Sequence, residues 1–206
     1  MSKKIISEKT KENLEILKKA GLLDDFYLAG GTGLALQLEH RTSIDLDFFS
    51  RRELDNQALL QKIKKLGDFS LEKEAENTLT GIFNNTKITF LTYDYPRLFP
   101  FKEINNIKVA DIKDIVCMKI SAISSRGSKK DFIDLFFICQ QDIPLEEILK
   151  LFEKKYESVD YNITHILKSL LYFKDAEKEP MPVMLVPVEW GEIKDFFKRT
   201  VAKYNQ

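Results

Sequence analysis

The sequence predicts an α+β fold: a small mixed sheet with flanking helices, followed by a helical C-terminal region. Three observations carry that prediction. Stretches of helical period bracket a block of alternating, strand-like text between residues 69 and 95. A short apolar strand breaks at a glycine pair, Gly30-Gly31, and a second strand follows closely. Beyond residue 110 the apolar positions recur at the three- and four-residue spacing of helices packed on a core. The expected division is a core over residues 1–110, and a helical region over 111–206 that completes any site the core begins.

The bulk properties exclude several classes. A chain of 206 residues, 44% hydrophobic and 31% charged, is long enough for one globular domain with a real core. Lys+Arg and Asp+Glu are 32 each, so no global field draws in a polyanion, and any such site must be a local patch. The N-terminal residues lack the apolar run of a signal peptide, and no stretch is long enough to span a membrane, which predicts a cytoplasmic protein. Cys117 and Cys139 stand apart in apolar surroundings, as buried thiols of a reducing compartment do.

Residues 7–20 read as a helix capped by Ser7, with Leu14, Ile16, Leu17 and Ala20 apolar and Gly21 past its end. Around it Lys3, Lys4, Lys9, Lys11, Lys18 and Lys19 outnumber Glu8, Glu12 and Glu15, which suits a solvated face or an RNA contact. Residues 26–29 form the first strand. Thr32 caps a short apolar helix running to Leu38. The chain turns over residues 40–43 and returns as a strand over 44–49, where Ile44, Leu46 and Phe48 face one way and Asp45 and Asp47 the other. Paired carboxylates on one face of an apolar strand are costly unless a cation sits between them. A glycine pair at a helix entrance offers amides to phosphate. Asp45 and Asp47 for Mg²⁺, beside Gly30, Gly31 and Thr32 for the phosphates of a nucleoside triphosphate, is the layout of a nucleotidyl-transfer site.

Ser50-Arg51-Arg52-Glu53 reads as a capping box opening a helix with Leu54, Ala58, Leu59, Ile63 and Leu66 inward and Gly67 at its end. The strand block follows, with Asn84-Asn85 as a turn, and Tyr95-Pro96 and Phe99-Pro100 close the sheet region. Asp111 then caps a helix whose apolar stripe is Ile112, Ile115, Val116, Ala122 and Ile123. Lys119 falls in that stripe, either with its ammonium led out along the edge or in service of a site. Arg126-Gly127 ends this helix and Ser128 caps the next, which carries Asp131 and Asp134 on one face. Asp131, in the first turn, suits a cap partner or a site residue. Asp134 lies among Phe132, Ile133, Leu135, Phe136 and Phe137, so it needs a cation, with Lys119 or Arg126 the obvious choice. The prolines of residues 180–187 forbid a regular helix there, and a terminal helix is expected over 192–203.

These stretches carry a resemblance. G-G-T-G-L-A-L followed by H-R-T-S-I-D-L-D-F-F resembles the first motif of the AbiEii/AbiGii toxin family. Those proteins are nucleotidyltransferases of the DNA polymerase beta superfamily, found as toxins of type IV toxin–antitoxin pairs. Lys119, Arg126 and K-D-F-I-D-L at 130–135 are similar to a later family pattern, and W-G-E-I-K-D-F-F to its C-terminal end. The resemblance implies a nucleotidyltransferase-like fold and nucleotide transfer to an acceptor hydroxyl at the tRNA 3′ end. It implies two Mg²⁺ ions on Asp45 and Asp47, and a cognate antitoxin as partner. Lys119 is then the triphosphate contact and Asp134 the acid that positions it or the acceptor hydroxyl. Arg41 and Ser43 stand at the phosphate edge, His40 is a turn or phosphate-edge residue, and Arg126 and Asp131 adjoin the site. The chain departs from the superfamily in one place: Thr89 occupies the best position for a third carboxylate, while Asp94 alternates to the opposite face. That departure keeps open a fold that binds nucleotide, RNA or a partner without turnover; a transferase that modifies protein hydroxyls, which shares the donor half of the site, is a third reading.

Overall fold

The computed structural model describes residues 5–204. Lys3 and Lys4, and with them part of the basic N-terminal tally, lie outside the described residues. Helix α1 (Glu8–Lys19) begins where Ser7 Oγ accepts the Thr10 N–H, and the chain leaves it through Gly21 at φ 67°. Strand β1 (Tyr27–Leu28) leads into α2 (Gly30–Leu38). The cap residue of α2 is Ala29, not Thr32. Thr32 sits inside the first turn, where its hydroxyl bonds Ser43 Oγ at 2.8 Å and donates to the Asp45 carbonyl. Strand β2 (Leu46–Ser50) starts later than the alternation predicts: Ile44 is 64% exposed and Asp45 precedes the ladder. Ser50 ends this strand, so the expected capping box does not form. Helix α3 (Asn56–Lys64) is capped instead by Asp55, which accepts the Ala58 N–H.

Strands β3 (Phe69–Ala75), β4 (Thr78–Phe83) and β5 (Thr86–Thr92) form an antiparallel meander. Asn84 and Asn85 turn β4 into β5 with φ of 44° and 65°, the positive values of a tight hairpin turn. The sheet does not close at Pro100. A second hairpin, β6 (Lys102–Ile104) and β7 (Ile107–Val109), turns on Asn105 and Asn106 at φ 52° and 55°. Among the described residues one mixed sheet runs β3-β4-β5-β2-β1-β7-β6, with β2/β5 and β1/β7 parallel.

Alternation along β2 divides the molecule. Leu46 and Phe48 join Leu28, Ile88 and Phe90 in a core covered by α1 and α3, where Phe48 stacks on Phe90 at 5.0 Å. Phe49 belongs to the opposite core, formed with α4 (Ile112–Ser125), α5 (Lys129–Cys139), α6 (Leu145–Lys155), α7 (Ile163–Ser169) and α8 (Trp190–Tyr204). Asp47, two residues from Phe49, therefore projects toward α4 and α5. The proline-bearing stretch 180–187 runs extended beside the turn after α2. Thr42 N–H donates to the Val183 carbonyl, and the His40 carbonyl accepts from Leu185 and Val186 N–H groups.

Candidate active site

A cleft of about 420 Å³ opens where one face of the central sheet, along β2 and β5, meets α4 and α5. Gly30, Gly31, Asp47, Thr89, Lys119, Arg126 and Asp131 supply its polar lining; Phe49, Leu91, Tyr93, Met118 and Tyr156 supply an apolar one. Residues from both sequence regions thus share one wall.

The amide side is built by backbone geometry. The first N–H groups of α2 have no intrahelical acceptor, and the helix dipole adds partial positive charge there. Gly30 has φ 60°, and a Cβ on it would stand 2.8 Å from Asp47 Oδ2. A Cβ on Gly31 would stand 2.5 Å from Arg41 Nη2. Both glycines are therefore required for the helix entrance to lie against Asp47 and over Arg41.

The carboxylate side is unbalanced. Burial, and then the nearby Asp45, raise the pKa of Asp47, against the opposing pull of Lys119, a hydrogen bond from Thr89, and Arg126. Thr89 is the direct partner of Asp47 across the parallel β2/β5 pair. It stands beside the place expected for a third acid and offers a hydroxyl instead. Asp45, outside the strand, is held by its carbonyl to Thr32, with its charge close enough to act on Asp47 and Arg41. Asp94 is out of the cleft, in an exposed pair with Arg51.

Lys119 is the hub of a buried ionic network. Its Nζ lies 2.9 Å from Asp131 Oδ1 and 2.6 Å from Asp134 Oδ2. An ammonium has three N–H donors, so one remains for the cleft. Asp134 is wholly buried and is absent from the cleft lining; it meets Lys119, one of the two cations expected for it. It receives Arg41 Nε at 2.7 Å, Arg41 Nη2 at 2.9 Å and His40 Nε2 at 2.8 Å. Burial alone would push the Asp134 carboxyl up, but Lys119, Arg41 and the hydrogen bonds from Arg41 and His40 hold it well below the usual carboxylate range. Arg41, only 2% exposed, is committed to that clamp rather than to the phosphate edge, and Ser43 is tied to Thr32. Arg126 serves Asp131, not Asp134, at 3.1 Å, and Ser128 Oγ donates to the same carboxylate. Arg41, Lys119 and Arg126 thus share Asp131 and Asp134 in one network, and Lys119 and Arg126 also act on Asp47.

Sequence reasoning did not find His40 as a clamp residue, nor Tyr93 and Tyr156, whose hydroxyls bond each other in the cleft wall. The tyrosines lie far apart in the chain, in a strand end and a helix end, and only alternation past β5 hinted at Tyr93. The cysteines take no part: burial pushes the thiols of Cys117 and Cys139 up to about 12.

The donor set fits Mg²⁺. That ion is held by one or two carboxylates plus phosphate oxygens and water rather than by an all-protein cage. Among the described residues no cluster of three or more His, Cys, Asp or Glu is placed to hold a metal. Asp47, whose pKa is raised by burial and by the nearby Asp45, faces an open helix entrance and matches the sparser pattern, while Asp45 stands close by outside the cleft lining.

A mixed sheet that presents a glycine helix entrance beside paired aspartates, with a lysine from a following helix across the cleft, defines a nucleotidyltransferase fold. The nucleotidyltransferase toxin MenT4 of Mycobacterium tuberculosis shares it, with a TM-score of 0.61 and 12% identity over 97% of this chain and 86% of that one. The antibiotic-resistance factor ANT(2″)-Ia superposes with a TM-score of 0.51 and 12% identity over 72% of this chain and 93% of that one. An uncharacterized protein of Aquifex aeolicus is 40% identical over 97% of both chains. The family described as nucleotidyl transferase AbiEii toxin, type IV toxin–antitoxin system, matches residues 14–204. The chain belongs to that AbiEii family.

Proposed function

We propose that the protein transfers a nucleotide from a nucleoside triphosphate to an acceptor hydroxyl, that of a tRNA 3′ end, and acts as the toxin of a type IV pair in the cytoplasm. The observation that carries this reading is one cleft joining the α2 entrance at Gly30-Gly31, Asp47 and Lys119. The tRNA acceptor and the antitoxin rest on the family membership; no helix of the described residues is long and apolar enough to cross a membrane.

The acceptor oxygen attacks the α-phosphorus, the bond from that phosphorus to the bridging oxygen breaks, and pyrophosphate leaves with the electron pair. When held by Asp45 and Asp47, two Mg²⁺ ions supply stabilisation of the entering and leaving oxygens and lower the acceptor hydroxyl's pKa. Gly30, Gly31 and Thr32 orient the β- and γ-phosphates with backbone N–H groups. Lys119 directs its free N–H at the departing pyrophosphate, with Arg126 in the same lining. Asp131 and Asp134 act through Lys119 as positioning residues. A binder without turnover remains the second reading, favoured by Thr89 beside Asp47 in place of an acid.

Purified protein with each labelled nucleoside triphosphate, Mg²⁺ and total tRNA separates the readings. Label on RNA supports the proposal, label on protein makes the acceptor a protein hydroxyl, and no label leaves the binder. In cells, overexpression should arrest growth and Asp45→Ala should abolish the arrest. Arrest that survives Asp45→Ala would sink the enzyme reading.

A further inference from the structure

A second groove, of about 330 Å³, opens between the end of α4 and α7. It shares Ser125 and Arg126 with the active cleft, so the two run together at the Arg126 side chain. His165, Lys168 and Tyr172 form its far side. His165 Nε2 donates to the Ser124 carbonyl at 3.2 Å, fixing α7 on α4. Lys168 is exposed and has no ion pair among the described residues, while Tyr172 is 53% exposed. The groove's one acid, Asp175, is engaged by Lys178 at 3.0 Å. Arg126 is 69% exposed along its side chain even while its Nε holds Asp131. Of these features only Arg126 is also used by the chemistry derived for the cleft.

We propose that this groove holds the single-stranded 3′ segment of the acceptor polynucleotide and delivers its terminal hydroxyl past Arg126 into the cleft. The inference rests on the transfer reading above and adds where the acceptor lies. An unpaired lysine and a half-paired arginine suit consecutive phosphodiesters. An exposed tyrosine between them suits a base face, which is recognised without regard to sequence. The guanidinium shared by both grooves is a fork that can hold a phosphate while Asp131 holds its other edge. A polypeptide acceptor would leave the two cations without a counter-charge, so the polynucleotide is favoured. The net charge of zero agrees with this, because attraction is confined to one local patch.

The test compares wild type with Lys168→Ala/Tyr172→Ala and Lys168→Arg, all checked for matching thermal unfolding. The probe is a fluorescent single-stranded RNA oligonucleotide with a free 3′ hydroxyl, titrated at several salt concentrations. Wild type should bind, and the double variant should lose about tenfold or more in affinity. Its log–log salt slope should fall by about one for the lost cation. Lys168→Arg should bind as wild type does. In transfer assays the double variant should raise KM for RNA and leave KM for the nucleoside triphosphate unchanged. Equal RNA affinity in wild type and double variant, or no RNA binding by wild type, overturns the groove while the transfer reading stands on its own label assay. Loss of RNA binding in the double variant, with no transfer to any acceptor by wild type, supports the groove and removes the transfer reading.

Discussion

Replacing Asp134 with alanine tests whether the ionic network is the frame of the site. Asp134 is 0% exposed and accepts from Lys119, His40 and both faces of the Arg41 fork, at 2.6–2.9 Å. Lys119 keeps Asp131 when Asp134 is removed, but Arg41 keeps only the Thr42 carbonyl, a neutral acceptor at 3.0 Å. An arginine is then buried with no carboxylate in hydrogen-bond contact, only the more distant charges of Asp131 and Asp45, and two cations face each other where an anion stood. Breaking a buried pair from one side costs about 3–5 kcal/mol. For a chain of this length each kcal/mol moves Tm by about 2–4 °C, so the loss should be about 6–20 °C. Thermal unfolding by circular dichroism at pH 7 measures it. Transfer should fall as well, because Lys119 is released from its setting. A Tm within about 2 °C of wild type, less than 1 kcal/mol on this scale, would refute the clamp.

Asp47→Asn should behave in the opposite way. Transfer should drop by about 10²–10³ or more, by analogy with removing one preorganised transition-state contact. The metal-free protein should nonetheless melt higher, since burial and Asp45 disfavour the Asp47 charge at pH 7. Gly30→Ala, measured by both assays, should cost about 1–2 kcal/mol for the left-handed backbone alone, and it should also disturb Asp47. The carboxyls of Asp131 and Asp134 lie below their ordinary range when folded. Their stabilisation is therefore complete above about pH 5, roughly one unit over the unfolded carboxylate pKa of about 3.9, and fades as pH falls from there toward the folded values. Acid unfolding curves should show that limb, and Asp134→Asn should flatten it.

The strands and helices with strong periodicity were legible because their partners are local. Asn84-Asn85 announced a hairpin between alternating segments, and the turn is there. Asn105-Asn106 gives the same signal between K-E-I and I-K-V, but two neighbouring prolines masked it, and the strand that β7 joins is far back in the chain. Ser50 looked like a cap because S-x-x-E is the capping pattern. Pairing of β2 with β5 as far as Ser50–Thr92 claimed it for the sheet instead. At the site, local text revealed which residues are unusual: glycines at a helix entrance, acids beside a strand, a lysine in an apolar stripe. It did not reveal their partners. Arg41 and Asp134 are 93 residues apart in sequence, and no spacing rule links a turn arginine to an acid in a distant helix. The need for a cation at Asp134 was visible from its apolar neighbours alone, and Lys119 is one of those that meet it.

The extended stretch 183–186, laid against residues 40–42, ties two distant parts of the chain together. A ribosome makes Asp45 and Asp47 well before this strap. Until the strap emerges, the His40 carbonyl and Thr42 N–H lack their backbone partners. The turn that carries Arg41 is thus secured only once residues 183–186 have been made. A growing chain accordingly carries Asp45 and Asp47 long before it carries the strap that holds the turn beside them.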